Sequence, residues 1–338
     1  MQNRSILIPV LLHGAFTALI VYIDQEKDGQ LGLPNSFIPS LSIVVGLLLV
    51  FRNQSSFDRF WTGRNKLTVV VTSVRNLTRI FLINAWAPDK PSPSDEEVRE
   101  TEAAIRVMLA MLNAIRDSLR AEWAVDHNHP SISQGTSTLS LTASAFVAPR
   151  FSTPSLVALK PHYAGLLSQT FGSLEHRGLS LPIHLSMLIE KHIRRGFSQG
   201  HFHGPQASQL EVQLNTLIDA YSSLETIKTT PIPIALLIHA RQVLALYGCV
   251  LPFAMVDELG WFTILVVSLV MFTLYGIEGI GRELEDPFGY ARNDIKMDAI
   301  VEDVRVEVMT LLEEWRAGRG VFERGGLEVE WEDSGIMA

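Results

Sequence analysis

PSLSIVVGLLLVFRNQSSFDRFWTGR, residues 39–64, is the stretch that decides the fold. It takes in most of an uncharged run of 21 residues, 31–51, and passes without a break into a basic and aromatic segment holding Arg52, Asp58, Arg59, Phe60, Trp61 and Arg64. At about 1.5 Å per residue, the uncharged run alone spans roughly 30 Å as a helix, the thickness of a bilayer's hydrocarbon core. Arg52 and the residues after it then mark where the helix leaves the membrane. Within the run, Ile43, Leu47 and Phe51 recur every four residues and form one narrow apolar stripe.

Three further runs have the same character. Residues 5–23 are 19 uncharged residues followed by Asp24, Glu26 and Asp28 with no small-residue cleavage pattern, so they read as a retained span and not a signal peptide. Residues 230–256 enter through Pro231 and Pro233 and carry His239 and Arg241; residues 259–277 are again uncharged. Arg52, Arg59, Arg64 and Lys66 follow the second span and Arg282 follows the fourth. The positive-inside rule places that side, and with it both termini, in the cytoplasm. Ionisable groups within spans face the bundle interior and pair there, and Asp58 and Glu278 are the two partners open to Arg241.

The remainder reads as a water-exposed helical layer. Residues 67–83, apolar with Arg75, Asn76 and Arg79 inserted, predict a helix leaving the membrane. Residues 95–125 predict an amphipathic helix, with Ile105, Leu109, Leu112, Ile115, Leu119 and Trp123 toward a core and Arg106, Asn113, Asp117 and Arg120 opposite. Further helices are expected over 161–197, broken near Gly178 and Pro182, over 206–227 and over 294–316. Residues 128–153, rich in Ser, Thr and Ala, read as a loop; His201 and His203 fall in a surface turn, and the tail after Gly318 is acidic and glycine-rich. The expected organisation is therefore two spans with an extension (5–83), a cytosolic helical region (84–228), two further spans (229–281) and a cytosolic helix with its tail (282–338).

A net charge of −8 over 338 residues excludes bulk affinity for nucleic acid. The single cysteine, Cys249, excludes an intrachain disulfide and an all-thiolate metal site. No GxSxG, HExxH, CxxC or P-loop string occurs, so an enzyme is not expected. A secondary transporter is a competing reading, since Pro39, Pro231 and Pro233 interrupt spans, although the four spans do not fall into two matched halves. For Arg52, Arg59 and Arg64 two roles stay open: a positive field at a pore mouth, or interfacial anchoring with Phe60 and Trp61.

Three motifs in order, PNSFIPSLSIVVGLLLVFRNQSSFDRFWTGR (34–64), TTPIPIALLIHARQVLALYGCVLPF (229–253) and GIEGIGRELEDPFGYARND (276–294), resemble the bestrophin family of ion channels, in its bacterial and fungal branch. The resemblance implies an all-α membrane protein with four transmembrane helices per subunit and a cytosolic helical bundle. It also implies a homopentamer around a central pore, lined by the second span, with a neck of three apolar rings that fall on Ile43, Leu47 and Phe51. A second constriction of the family lies loosely within residues 202–214. The implied function is passive conduction of small inorganic ions, chloride foremost, by a self-assembled channel in contact with membrane lipid; a cation-selective channel of the same fold is the alternative. No cofactor is expected. Animal members bind calcium in a clasp whose positions fall on Glu283, Asp286, Ala291 and Asp294. With Ala291 and Arg292 there, only a weak metal site on Glu283, Asp286 and Asp294 is expected.

Overall fold

A computed structural model of the chain describes residues 2–26, 31–34, 36, 38–90, 93–120, 163, 166–167 and 180–322. All regular structure among these residues is helical: α1 (Gln2–Glu26), α2 (Ile38–Ile83), α3 (Asp95–Leu119), α4 (Leu181–Ser198), α5 (Gly204–Thr229), α6 (Ile234–Leu259), α7 (Phe262–Glu283) and α8 (Met297–Phe322). Four of them, α1, α2, α6 and α7, are long and apolar enough to cross a membrane. The chain divides into two compact units, one of residues 1–65 and 224–295, the other of residues 66–223 and 296–338. The divisions fall inside α2, inside α5 and between α7 and α8, so neither unit is a continuous segment.

In the first unit α1 packs on α6 and α7, and α6 packs on α7. Val10, Val45, Leu49, Leu244, Tyr247, Leu251, Val267 and Met271 fill its core. Polar side chains are buried with them: His13 Nε2 lies 3.2 Å from the Tyr275 hydroxyl, the Thr17 hydroxyl donates to the His13 carbonyl at 2.7 Å, and Ser42 bonds Tyr247 at 3.0 Å. Large apolar side chains face outward instead, among them Leu11, Leu12, Phe262, Leu265, Leu269 and Phe272. Apolar side chains outside as well as in the core are what a hydrocarbon surrounding selects. Gly260 ends α6 at φ 51°, a left-handed conformation that glycine adopts without steric cost, and turns the chain directly into α7.

The second unit has the ordinary pattern of a water-soluble bundle. On α3, Ile105, Leu109, Leu112, Ile115 and Leu119 are buried as their spacing predicts, against α4 and α8. Burial also takes in Asn113 and Asp117, which the periodicity assigns to the outer face. The Asn113 side chain donates to the Leu109 carbonyl at 3.0 Å, and Asp117 accepts from Arg116 at 2.8 Å and from the Tyr163 hydroxyl at 3.2 Å. A packed helix hides polar side chains on its far face once they find such partners. Ser94 and Glu97 cap α3 reciprocally. The described part of the helix expected over 161–197 is α4, and Pro182 sits in its first turn, where a missing N–H costs nothing, not at a break. Trp123, the 128–153 loop and the tail from 323 onward lie outside the described residues.

Candidate functional site

One face of α2 lies open along the stripe expected from the sequence. Ile43, Leu47 and Phe51 are 63%, 52% and 68% exposed, whereas Val45, Leu49, Arg52 and Ser56 on the other face are buried. At about 6 Å of axial rise per four residues, the three side chains occupy roughly 12 Å of the helix.

The three arginines do not share a setting. Arg52 is 1% exposed, and its Nη1 donates to Glu278 Oε1 at 2.6 Å. Arg241 Nε donates to the same oxygen at 2.9 Å, so Glu278, not Asp58, is its partner. Two guanidinium groups thus converge on one carboxylate within the membrane-spanning unit, the pairing that makes intramembrane charge tolerable. Arg59 grips three backbone carbonyls, of Ile227 and Thr230 at 2.6 Å each and of Glu285 at 3.2 Å. Ile227 lies in the last turn of α5 and Thr230 directly follows it, where carbonyls have no partner within the helix, so Arg59 acts as a side-chain cap delivered from α2. Arg64 is partly buried. Arg52 is thus neutralised by a carboxylate within the subunit, whereas half-buried Arg59 is held by backbone carbonyls and keeps its positive charge.

These contacts join the sequence motifs to one another. Besides Arg52 with Glu278 and Arg59 with Ile227, Thr230 and Glu285, a Cβ on Gly281 would run into the Asn53 side chain. One on Gly63 would lie 3.1 Å from Phe288 Cζ. The FRN, TGR, TTPIP and DPFG strings are the pieces of a single packing arrangement, which is why they come as a set.

The three acids of the expected weak metal site are engaged separately. Glu283 accepts from Asn293 at 2.8 Å, Asp286 from Lys228 at 2.9 Å and from the Phe288 N–H at 3.3 Å, and Asp294 from the Ala291 N–H at 2.7 Å. Among the described residues no group of three or more His, Cys, Asp or Glu side chains is arranged to hold a metal ion. The set does not fit a cation that takes six to eight oxygens.

In the second unit sequence reasoning missed a buried polar cluster. His201, expected in a surface turn, is 7% exposed with Nε2 3.2 Å from Glu97 Oε1, and Lys90 Nζ reaches the same oxygen at 2.6 Å. Burial alone would raise the Glu97 carboxyl; hydrogen bonds from Lys90 and from the Ser94 N–H and hydroxyl outweigh it and hold it at about 2. His203 accepts from the Gln206 N–H at 3.1 Å at the start of α5. Within residues 202–214, Phe202, Leu210 and Leu214 are core residues and Val212 is exposed.

Four apolar helices of spanning length, with polar pairs inside and apolar side chains outside, define a multi-span helical membrane protein. A model of the family described as Bacterial/Fungal Bestrophin protein matches residues 3–310, and the chain belongs to that family. It is 33% identical over 270 residues to the voltage-dependent anion channel-forming protein alr2987 of Nostoc sp., covering 80% of this chain and 74% of that one. It is 30% identical over 306 residues to the voltage-dependent anion channel-forming protein sll1024 of Synechocystis sp., covering 90% and 86%. Among solved structures, a bacterial bestrophin homolog from Klebsiella pneumoniae superposes with a TM-score of 0.69 at 20% identity, covering 91% of this chain and 98% of that one. A mutant of the same protein gives 0.72 at 19% identity, covering 91% and 99%.

Proposed function

We propose that the chain forms a homopentameric channel that passes anions, chloride among them, along an axis lined by α2. In this reading Ile43, Leu47 and Phe51 of the five copies form three successive apolar rings, a neck through which ions pass only when it is wet. The observation that carries the reading is the exposed stripe itself. Apolar side chains fill the core of the spanning unit, and the exposed α2 stripe is available to face an axis shared by several copies. The relatives named as voltage-dependent anion channel-forming proteins support conduction and the sign of the ion. The outward apolar side chains of α1 and α7 face lipid or neighbouring copies, and both termini lie on the cytoplasmic side with Arg52 and Arg282. Calcium has no role in this reading, because Ala291 and Arg292 stand where a clasp needs oxygens.

The test is a reversal-potential measurement on purified protein in a planar bilayer under a potassium chloride gradient, repeated with calcium chelated. Unitary currents reversing toward the chloride potential, unchanged by chelation, are expected, and Phe51→Ala should raise conductance or open probability. Saturable flux without unitary currents, or Leu47→Ala and Phe51→Ala channels identical to the parent, would sink the neck.

A further inference from the structure

α2 holds six basic residues, Arg52, Arg59, Arg64, Lys66, Arg75 and Arg79, and a single acidic one, Asp58. Composition alone suggests a positive lining. Helical phase reverses it. At about 100° per residue, Asp58 projects within about 20° of Leu47, and Gln54 does the same on the other side, whereas Arg52, Arg59, Arg64 and Lys66 project about 100–140° away. Burial agrees with the phase: Gln54 and Asp58 are exposed, Arg52 is buried against Glu278, and Arg59 is bound to carbonyls. Gln54 Nε2 donates to Asp58 Oδ1 at 2.8 Å, which holds the carboxylate along the stripe.

We infer that Asp58 is a selectivity-determining residue, the charged group a permeating ion meets on the cytoplasmic side of the neck. The inference rests on the reading of α2 as the pore-lining helix. Asp58 lies about 10 Å along the axis from Phe51, and five copies place five carboxylates in one ring. A single-sign ring beside a low-dielectric constriction concentrates the opposite ion and depletes its own, so this ring opposes anion entry and favours cations. Apolar neck rings carry no sign of their own. Asp58 therefore lowers the chloride-to-potassium permeability ratio below the value that the rest of the pathway sets.

The experiment compares parent, Asp58→Asn, Asp58→Glu and Phe51→Ala in planar bilayers, with chloride-to-potassium permeability ratios taken from gradients centred on 10 mM and on 150 mM salt. Asp58→Asn should raise the ratio about threefold or more at 10 mM and distinctly less at 150 mM, because the screening length falls from about 30 Å to about 8 Å. Asp58→Glu should keep the parent ratio, and Phe51→Ala should change conductance while keeping the salt dependence. An Asp58→Asn ratio equal to the parent's at 10 mM, with Phe51→Ala still altering conductance, overturns the role of Asp58 and leaves the neck standing. No unitary current from the parent overturns both.

Discussion

α2 and α3 are both long helices rich in aliphatic residues, yet they distribute them in opposite ways. In α3 the aliphatic face is sealed: Ile105, Met108, Leu109, Leu112 and Ile115 are each at most 1% exposed, and acids crowd its first turn. In the spanning part of α2 the large apolar side chains Ile43, Val44, Leu47, Val50 and Phe51 are exposed, while Arg52 and Ser56 are buried. The contrast shows that hydrophobicity means different things in the two units. In the second unit it drives a side chain inward. In the spanning unit apolar side chains fill the core and also cover the periphery, and hydrogen bonds and charge pairs tie the polar groups between the helices.

That contrast can be broken most severely at Glu278. Glu278→Ala leaves Arg52 buried without its counter-ion, a loss of about 3–5 kcal/mol, and the purified protein should melt well below the parent in detergent. The double variant Arg52→Met/Glu278→Leu should recover most of the loss; equal melting of parent and Glu278→Ala would show that the pair is not structural.

The same truncation at two leucines sharpens the comparison. Leu112→Ala should cost about 2–5 kcal/mol through the cavity it leaves in the α3 core. Leu47→Ala should stay within about 1 kcal/mol of the parent and act on conductance instead. Thermal unfolding of both variants, read beside single-channel recordings, decides it; a strongly destabilised Leu47→Ala would mean the stripe is packed and not a pathway wall.

A smaller effect concerns pH and belongs to the second unit alone. Burial, followed by the charges of His201 and Arg195, pushes the His192 imidazole down to about 4 from its ordinary 6.5. The folded chain then binds fewer protons there than the unfolded chain does. The resulting stability is complete above about pH 6.5 and is lost as pH falls through about 4, by up to about 3 kcal/mol. His192→Leu should flatten that limb of the stability profile measured by chemical denaturation, and an unchanged slope would refute it.

The four spans, their motifs, the α2 stripe and the aliphatic face of α3 were all legible in the sequence, because each is a local periodicity or an uninterrupted run. Pairing was not. Arg52 and Glu278 are separated by 226 residues, and His201 and Glu97 by 104, so no spacing rule connects them. The partner of Arg241 was narrowed to two acids and could be chosen only by the packing of α6 against α7. Asp58 is an intermediate case. Its phase was readable beforehand, but the sequence reading singled out the arginines around it, whose role it left open between a pore-mouth field and interfacial anchoring.

Gly63 and Phe288, and Gly281 and Asn53, carry a consequence for how such chains diverge. A side chain added at Gly63 needs a smaller or displaced residue at 288, and one added at Gly281 needs a shorter residue at 53. Across descendants of this sequence the two positions of each pair should therefore change together or not at all. A substitution at one member of a pair, fixed alone, marks a lineage in which the neighbouring side chain has shifted to make room.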